Sequence, residues 1–512
     1  MPATSRRFPD PLQNFMVLTV SEMKALEARA FAEGIQAESL MDEAGAKIAA
    51  AVVNFFPGPG HCVVHFGKGH NGGDALVAAR HLAEWGWSLE LVPAFERSRW
   101  SALTECKFAA LPRSTPRSTP RRARAPLVVL DGLLGIGLGG PLREPIAGAA
   151  RAINRLRVDA NAQVFAIDLP TGLNGLTGEG DPDTVRADFT LTIGFAKRGL
   201  LADCATRFVG RLAVLPLTDL SARLALDPTR PTVATGDTLA GVLPRRGFDT
   251  HKGDFGRVAV IAGSPGLIGA ALMTSEACVR AGAGLVTLFV TREIYPLVAG
   301  SAIPQVMVRP INSYLEILET RCDVVALGPG LGQARHREIL ELLAQVPQPM
   351  VVDADALNTL AGAGSFLDLV NSAAGPRLLT PHPGEMARLD PASAAGSRED
   401  TVGRFMKGCA HTLLLKGART LVGERGKPLS FNSTGSPGMA SGGMGDVLTG
   451  VCAALAGARL PLYDAARLGA WVCGRAAELA IYGGDESEES LSAGSVLDGL
   501  GAAFKELRAR SE

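Results

Sequence analysis

Short β-branched runs alternate with stretches of helical length along almost the whole chain, and no other feature limits its fold as much. The strand candidates of the first half are Cys62–Phe66, Leu89–Val92, Leu127–Leu130, Val164–Ile167, Phe189–Ile193 and Leu212–Leu215. A second series follows at Val258–Ala262, Leu285–Val290, Val324–Leu327, Met350–Val352, Leu378–Thr380 and Thr412–Leu415, after which the chain reads as helical. Strands separated by helical lengths pair in parallel through crossovers, so the expected class is α/β. Two helix starts precede the first strand. Thr19-Val-Ser-Glu22 has the form of a capping box, and Ser39-Leu-Met-Asp42 leads into an apolar face of Ala44, Ile48, Val52 and Phe55.

The 512 residues are expected to form two domains, 10–225 and 226–512, joined near Ser221–Thr232. A composition that is 47% hydrophobic excludes a mostly disordered chain. Lys+Arg and Asp+Glu both number 51, a balance that argues against a dominant nucleic-acid or membrane-surface role. The longest stretch without charged residues, Ile48–Gly67, is broken by Pro57, Gly58, Pro59 and Gly60, so no membrane span is expected. Eight scattered cysteines without a CxxC pair, and no apolar leader, read as a cytoplasmic protein with reduced core thiols. The Pro- and Arg-rich repeat Pro112–Pro126 has nothing to bury and is expected to be an exposed loop; any nucleic-acid role would hang on it.

Chemistry-bearing residues cluster after strands. Gly67-Lys-Gly-His-Asn-Gly-Gly-Asp74 precedes an expected helix Ala75–Trp85, and its glycines let consecutive N–H groups face one anion. A plain βα turn explains that loop equally well. Two further strand ends, Asp131–Pro141 and Asp168-Leu-Pro-Thr-Gly172, shift the balance toward a ligand site. In a parallel sheet these ends share one edge, where Asn71, Asp74, Asp131, Asp168 and Thr171 could converge on a hard cation or a ligand hydroxyl. In the second half, the glycine-rich run Gly435–Asp446 enters an expected helix Val447–Gly457. Glycines ahead of a helix form an anion hole suited to a phosphoryl group in transfer, with Asp446 placed to take a proton from an attacking hydroxyl. Asp446 as a helix cap is the plainer alternative. His251–Gly256, Gly328–Gly332, Asp353–Asn358, Thr380–Glu385 and Lys416–Thr420 recur at or beside strand ends. His382, between two prolines, reads as a fixed site residue, and Lys416 as a point cation for phosphate.

The motifs LMDEAG, HNGGDALVAARHL, DGLLGIGL and AIDLPTGL resemble the N-terminal YjeF domains, which include the NAD(P)H-hydrate epimerases. The resemblance implies a Rossmann-like three-layer sandwich. It also implies that His70, Asn71, Gly72, Gly73, Asp74, Gly135, Ile136, Gly137, Leu138, Gly139, Gly140, Pro141 and Asp168 bind the hydrated dinucleotide. Asn71, Asp131 and Thr171 would hold a potassium ion, and Asp168 would be the acid/base. His70 departs from the family pattern, which usually has Asn there.

The motifs HKGDFG, GPGLG, DADALN, TPHPGE, KGART and NSTGSPGMASGGMGDVLTG resemble the ribokinase-like ADP-dependent NAD(P)H-hydrate dehydratases. That resemblance implies substrate contacts from Ala270, Gly330, His382 and Asp446, with Asp446 catalytic. Nucleotide contacts would come from Lys416, Gly417, Ala418, Arg419, Thr420 and Gly445. The implied substrates are NADHX, NADPHX and ADP with Mg²⁺, and relatives suggest a homo-oligomer. Two rival readings are a vitamin-precursor kinase of the same plan and an N-terminal domain that only binds.

Overall fold

The computed structural model describes residues 15–111, 125–137 and 140–510. The chain divides into two units, 1–233 and 234–512, with the boundary inside a short strand, Thr232–Ala234.

The first unit is built on six strands: β1 His61–Phe66, β2 Ser88–Pro93, β3 Leu127–Gly132, β4 Gln163–Ile167, β5 Phe189–Ile193 and β6 Arg211–Leu215. They lie in the order β2-β1-β3-β4-β5-β6 and every pair is parallel. Parallel strands need both faces covered, and their side chains alternate between those faces. Val63, Val129 and Val164 point to one face, where Ile146, Ala150 and Ile153 of the helix Ile146–Asp159 cover them. Phe165 and Phe189 point to the other; their rings stack at 4.5 Å, and Phe55 of the helix Ala37–Phe55 lies 4.4 Å from Phe189. The result is the expected three layers.

The second unit carries ten strands: β7 Thr232–Ala234, β8 Arg257–Ile261, β9 Leu285–Thr291, β10 Val306–Ile311, β11 Val324–Leu327, β12 Met350–Val352, β13 Arg377–Leu379, β14 Thr412–Leu415, β15 Leu421–Gly423 and β16 Ser430–Asn432. Their order is β10-β9-β8-β11-β12-β13-β14-β15-β16-β7. Pairing is parallel from β10 to β14 and turns antiparallel at β15 and β16. One face, including Val258, Val260, Ala326, Val351 and Leu414, packs on the helices Ile268–Arg280, Met444–Gly457, Leu462–Tyr482 and Ala493–Ala509.

All twelve expected strands are present, several shifted by a residue. The Thr19 capping box is present, with the Glu22 amide donating to Thr19 Oγ1 at 3.2 Å and the Thr19 amide to the Glu22 carboxylate at 2.7 Å. Other expectations are corrected. Ser39 does not start a helix, because the apolar face already begins at Leu40 and Ala37–Phe55 absorbs it. The strands β10, β15 and β16 gave no clear signal, the latter two being three-residue segments in a stretch expected to be helical. Residues 112–124 of the Arg-rich repeat lie outside the described residues. Among the described residues no helix is long and apolar enough to cross a membrane.

Phe165→Ala should lower the stability of the first unit by about 3–5 kcal/mol, because it empties the centre of the ring stack. Urea unfolding followed by near-UV circular dichroism checks this, and a loss below about 1 kcal/mol would contradict the packing described.

Candidate active sites

Strand order decides which loops meet. β1, β3 and β4 are consecutive neighbours, so the segments after Phe66, Gly132 and Ile167 leave the same edge side by side. The helix after β1 runs from His70 to Glu84, not from Ala75 as expected. Most of the His70–Asp74 motif is therefore its first turn. Gly72 is required there: a Cβ would lie 2.2 Å from the Gly67 carbonyl oxygen. Gly73 packs on Met41 in the same way, so these two glycines serve close packing. His70 is exposed, Asn71 is half-buried and Asp74 is buried. Burial, reinforced by the charges of Asp168 and Glu27, holds the Asp74 carboxyl well above the ordinary range.

Around this turn the expected oxygens come together. A Cβ on Gly135 would lie 3.0 Å from Asp168 Oδ2 and 3.3 Å from Asn71 Oδ1, so the two side chains meet at the Gly135 loop. Thr171 donates to Asp131 through its amide, at 2.8 Å, and through its hydroxyl, at 2.7 Å. Leu134 N donates to Thr171 Oγ1 at 3.1 Å, tying the second loop to the third. Asp131 is wholly buried, and burial pushes it up to about 6 against the hydrogen bonds from Thr171 and Leu133. The buried Asn71 Nδ2 has no hydrogen-bond partner among the described residues. A cleft of about 360 Å³ opens beside these loops, lined by Val20, Gly135, Ile136, Gly140, Pro141 and Leu169 among others. Gly137 is exposed on the same loop, whereas Leu138 and Gly139 lie outside the described residues.

One group escaped the sequence reading. Lys197 is 1% exposed and its ammonium is bonded to Asp168 Oδ1. Its signal was a lysine in an apolar run (Ile193-Gly-Phe-Ala-Lys197) just past β5, beside β4 in the sheet.

The second site follows the same rule, with β8, β11, β12, β13 and β14 in consecutive order. Ala270 lies in the first turn of Ile268–Arg280, and a Cβ on Gly330 would come within 3.1 Å of its Cβ. Gly330 has φ +63°, where glycine is at ease. The glycine-rich run enters its helix at Met444, earlier than expected, with Gly443 as N-cap at φ +87°. The first helical N–H groups have no intrahelical partner and face outward at the helix's positive end. Asp446 stands in that first turn and caps nothing, since Gly443 is the cap. Burial and the nearby Asp353 charge push it up to about 6, with Lys416 partly offsetting them.

Lys416 Nζ pairs with Asp353 Oδ1 at 2.7 Å and lies 3.8 Å from Glu385 Oε2, while Thr449 Oγ1 donates to Asp353 Oδ2 at 2.7 Å. Burial alone would lower Lys416, but Asp353 and Glu385 outweigh it and hold the ammonium above its ordinary range. A Cβ on Gly445 would lie 3.3 Å from Lys416 Nζ, so Lys416, Gly445 and Asp446 form one group. Asp353, Glu385 and Thr449 were not singled out from sequence, although all three sit inside motifs that were. The Gly417–Thr420 loop is held by Arg398, which donates to the Ala418 carbonyl at 2.8 Å and to that of Arg419 at 3.3 Å.

The structure shows how one expected residue is held and corrects the placement of another segment. His382 is half-exposed and caps the helix Pro383–Leu389, its Nδ1 accepting from Gly384 N at 3.0 Å and Glu385 N at 3.3 Å. It meets the charged group only through Glu385. The segment His251–Gly256 precedes β8 and packs against Gly457, at the far end of the helix that begins beside Asp446. It therefore lies at the opposite edge of the sheet.

Comparison with known proteins assigns both halves of the chain to families. The family described as NAD(P)H-hydrate dehydratase matches residues 258–484, and that described as YjeF-related protein N-terminus matches residues 37–199. The bifunctional NAD(P)H-hydrate repair enzyme of Moorella thermoacetica is 34% identical over 97% of this chain and 98% of its own length. The chain belongs to the bifunctional NAD(P)H-hydrate repair enzymes. Members of the family from Escherichia coli (36% identical; 87% of this chain, 86% of that one) and Leishmania major (35%; 88% and 87%) are equally similar. The crystal structure of the ADP/ATP-dependent NAD(P)H-hydrate dehydratase of Bacillus subtilis is 25% identical, with a TM-score of 0.48 over 55% of this chain and 100% of that one. The chain thus joins a dehydratase domain to an epimerase-type domain, and the vitamin-precursor kinase reading is set aside.

The elevated Asp446 has a thermodynamic consequence. Between the ordinary value of 3.8 and about 6, the folded state holds a proton that the unfolded state has lost, so stability falls as pH rises through this window. Asp446→Asn should therefore stabilise the second unit by about 1–3 kcal/mol at pH 8, a gain that shrinks by pH 5. Chemical denaturation at the two pH values checks it; an equal effect at both would contradict the assignment.

Proposed function

We propose that the chain interconverts the R and S hydrates of NADH and NADPH in its first domain and dehydrates the S form in its second. The second step consumes ADP and releases AMP and phosphate. Water added across a nicotinamide ring double bond leaves a hydroxyl on a stereocentre, so a stereospecific dehydratase needs an epimerase to reach the whole pool.

The placement of Asp446 carries the dehydratase reading. It stands behind the glycine turn, at the open N–H groups of Met444–Gly457, beside the Lys416–Asp353 pair. Asp446 takes the proton of the ring hydroxyl as its oxygen attacks the β-phosphorus of ADP, and the bond to the AMP oxygen breaks. The helix N–H groups stabilise the charge spread over the transferring phosphoryl. The ring nitrogen lone pair then expels phosphate, and loss of a proton from the neighbouring carbon restores the double bond. Phosphate leaves where hydroxide would not, which explains why a nucleotide is consumed. Asp353 and Glu385 are already paired with Lys416. Mg²⁺ would therefore be held chiefly by the nucleotide phosphates, whose charge it screens.

In the first domain, Asp168 is the acid/base at the hydroxyl-bearing carbon, and the cleft beside Gly135–Pro141 takes the dinucleotide. Asn71 Oδ1, the wholly buried Asp131 carboxylate and the Thr171 hydroxyl are oxygen ligands, and the chemistry of that set fits a hard alkali cation. Potassium held there would supply positive charge against Asp131. All eight cysteines are free thiols, which suits the reducing cytoplasm.

Protein incubated with S-hydrated NADPH and ADP should restore the reduced-nicotinamide absorbance band and release AMP; no recovery refutes the dehydratase reading. Asp446→Ala should lower that recovery at least about 100-fold, while R/S exchange without ADP continues. Loss of both activities would overturn the two-site division.

A further inference from the structure

Lys197 belongs to no motif of the sequence reading, yet it occupies the centre of the first site. Its ammonium has three acceptors: Asp168 Oδ1, the Thr192 hydroxyl at 3.2 Å and the Ile193 carbonyl at 2.7 Å. These match its three N–H donors and fix it in one direction. Its backbone is pinned as well, because Ala196–Lys197 pairs in parallel with Val17–Leu18. Asp168 Oδ1 also accepts from Ile193 N at 3.3 Å. No described residue donates to Oδ2, the oxygen that lies toward Gly135 and Asn71. Asp168 itself sits at φ +67°, a conformation that a non-glycine residue keeps only where its surroundings hold it. The carboxyls of Glu27 and Asp74 belong to the same electrostatic group; burial favours their protonated forms and Lys197 opposes it.

We infer that Lys197 is the positioning residue of the epimerase site: by gripping Asp168 Oδ1 it leaves Oδ2 aimed at the ring hydroxyl of the bound hydrate. The lysine touches no substrate and acts through Asp168. The inference rests on Asp168 being the acid/base, as proposed above.

The test uses the full-length protein and measures R-to-S exchange of resolved NADPH hydrate without ADP, by chromatography. Lys197→Met, close in size and so able to fill the slot, should lower kcat about 100-fold or more and change KM less than about threefold. Lys197→Arg, which keeps the cation, should recover part of the loss. The double variant Asp168→Asn/Lys197→Met should be no slower than Asp168→Asn alone, because both substitutions remove one function. Unchanged kcat in Lys197→Met, a rise in KM alone, or multiplying losses in the double variant would overturn the inference. If Asp168→Asn itself exchanges normally, the acid/base reading fails instead. Thermal unfolding of each variant identifies losses due to misfolding; should Lys197→Met unfold, Thr192→Val, which removes one acceptor of the same ammonium, must slow kcat without raising KM or the inference fails.

Discussion

A lysine ammonium buried against a strand-end aspartate lies at each of the two sites, and the surrounding architecture follows from what that requires. Removing charges from water costs several kcal/mol per ion unless a partner and further hydrogen bonds compensate. Lys197 meets the demand with Asp168, Thr192 and Ile193; Lys416 meets it with Asp353 and Glu385. Such partners converge only where several backbone segments end together. A parallel sheet provides that place, because its strands all terminate at one edge.

The two domains solve different chemical problems at similar edges. In the first, the glycines of the His70–Asp74 turn let helix and loop pack closely, and the side-chain oxygens of Asn71 and Asp168 meet at the Gly135 loop that borders a small cleft. In the second, the glycines lead into a helix whose unpaired N–H groups stand beside a carboxyl of elevated proton affinity. The first suits proton movement at a hydroxyl-bearing carbon, the second transfer of a phosphoryl group. A carboxyl held near 6 is partly protonated in the resting protein and still able to accept a proton near neutrality.

Much of this was legible in the sequence, for a reason. Long β-branched runs such as Phe189–Ile193 and Val324–Leu327 declare themselves because parallel strands are apolar on both faces. Motifs directly after them carry the chemistry, so Asn71, Asp131, Asp168 and Lys416 could be named from position, and Asp446 from the glycine run ahead of its helix. What stayed hidden depends on packing across the sheet. Lys197 is four residues past its strand, and nothing local says that its ammonium turns back to Asp168. His382 read as a fixed site residue because two prolines flank it; what stayed hidden is that its Nδ1 is held by capping a helix. The segment His251–Gly256 was grouped with the site by its composition, but strand direction puts it at the other edge. The helix starts were misjudged by three to five residues (Met444 against Val447, His70 against Ala75), because glycines that read as loop were already in the first turn.

The central claim is that one chain carries two complementary sites, and turnover of the resolved R hydrate tests it most directly. Given R-hydrated NADPH and ADP, the protein should regenerate NADPH to completion, faster than the R form epimerises spontaneously. Recovery that proceeds only at the spontaneous rate, while the S hydrate is still consumed rapidly, would contradict it.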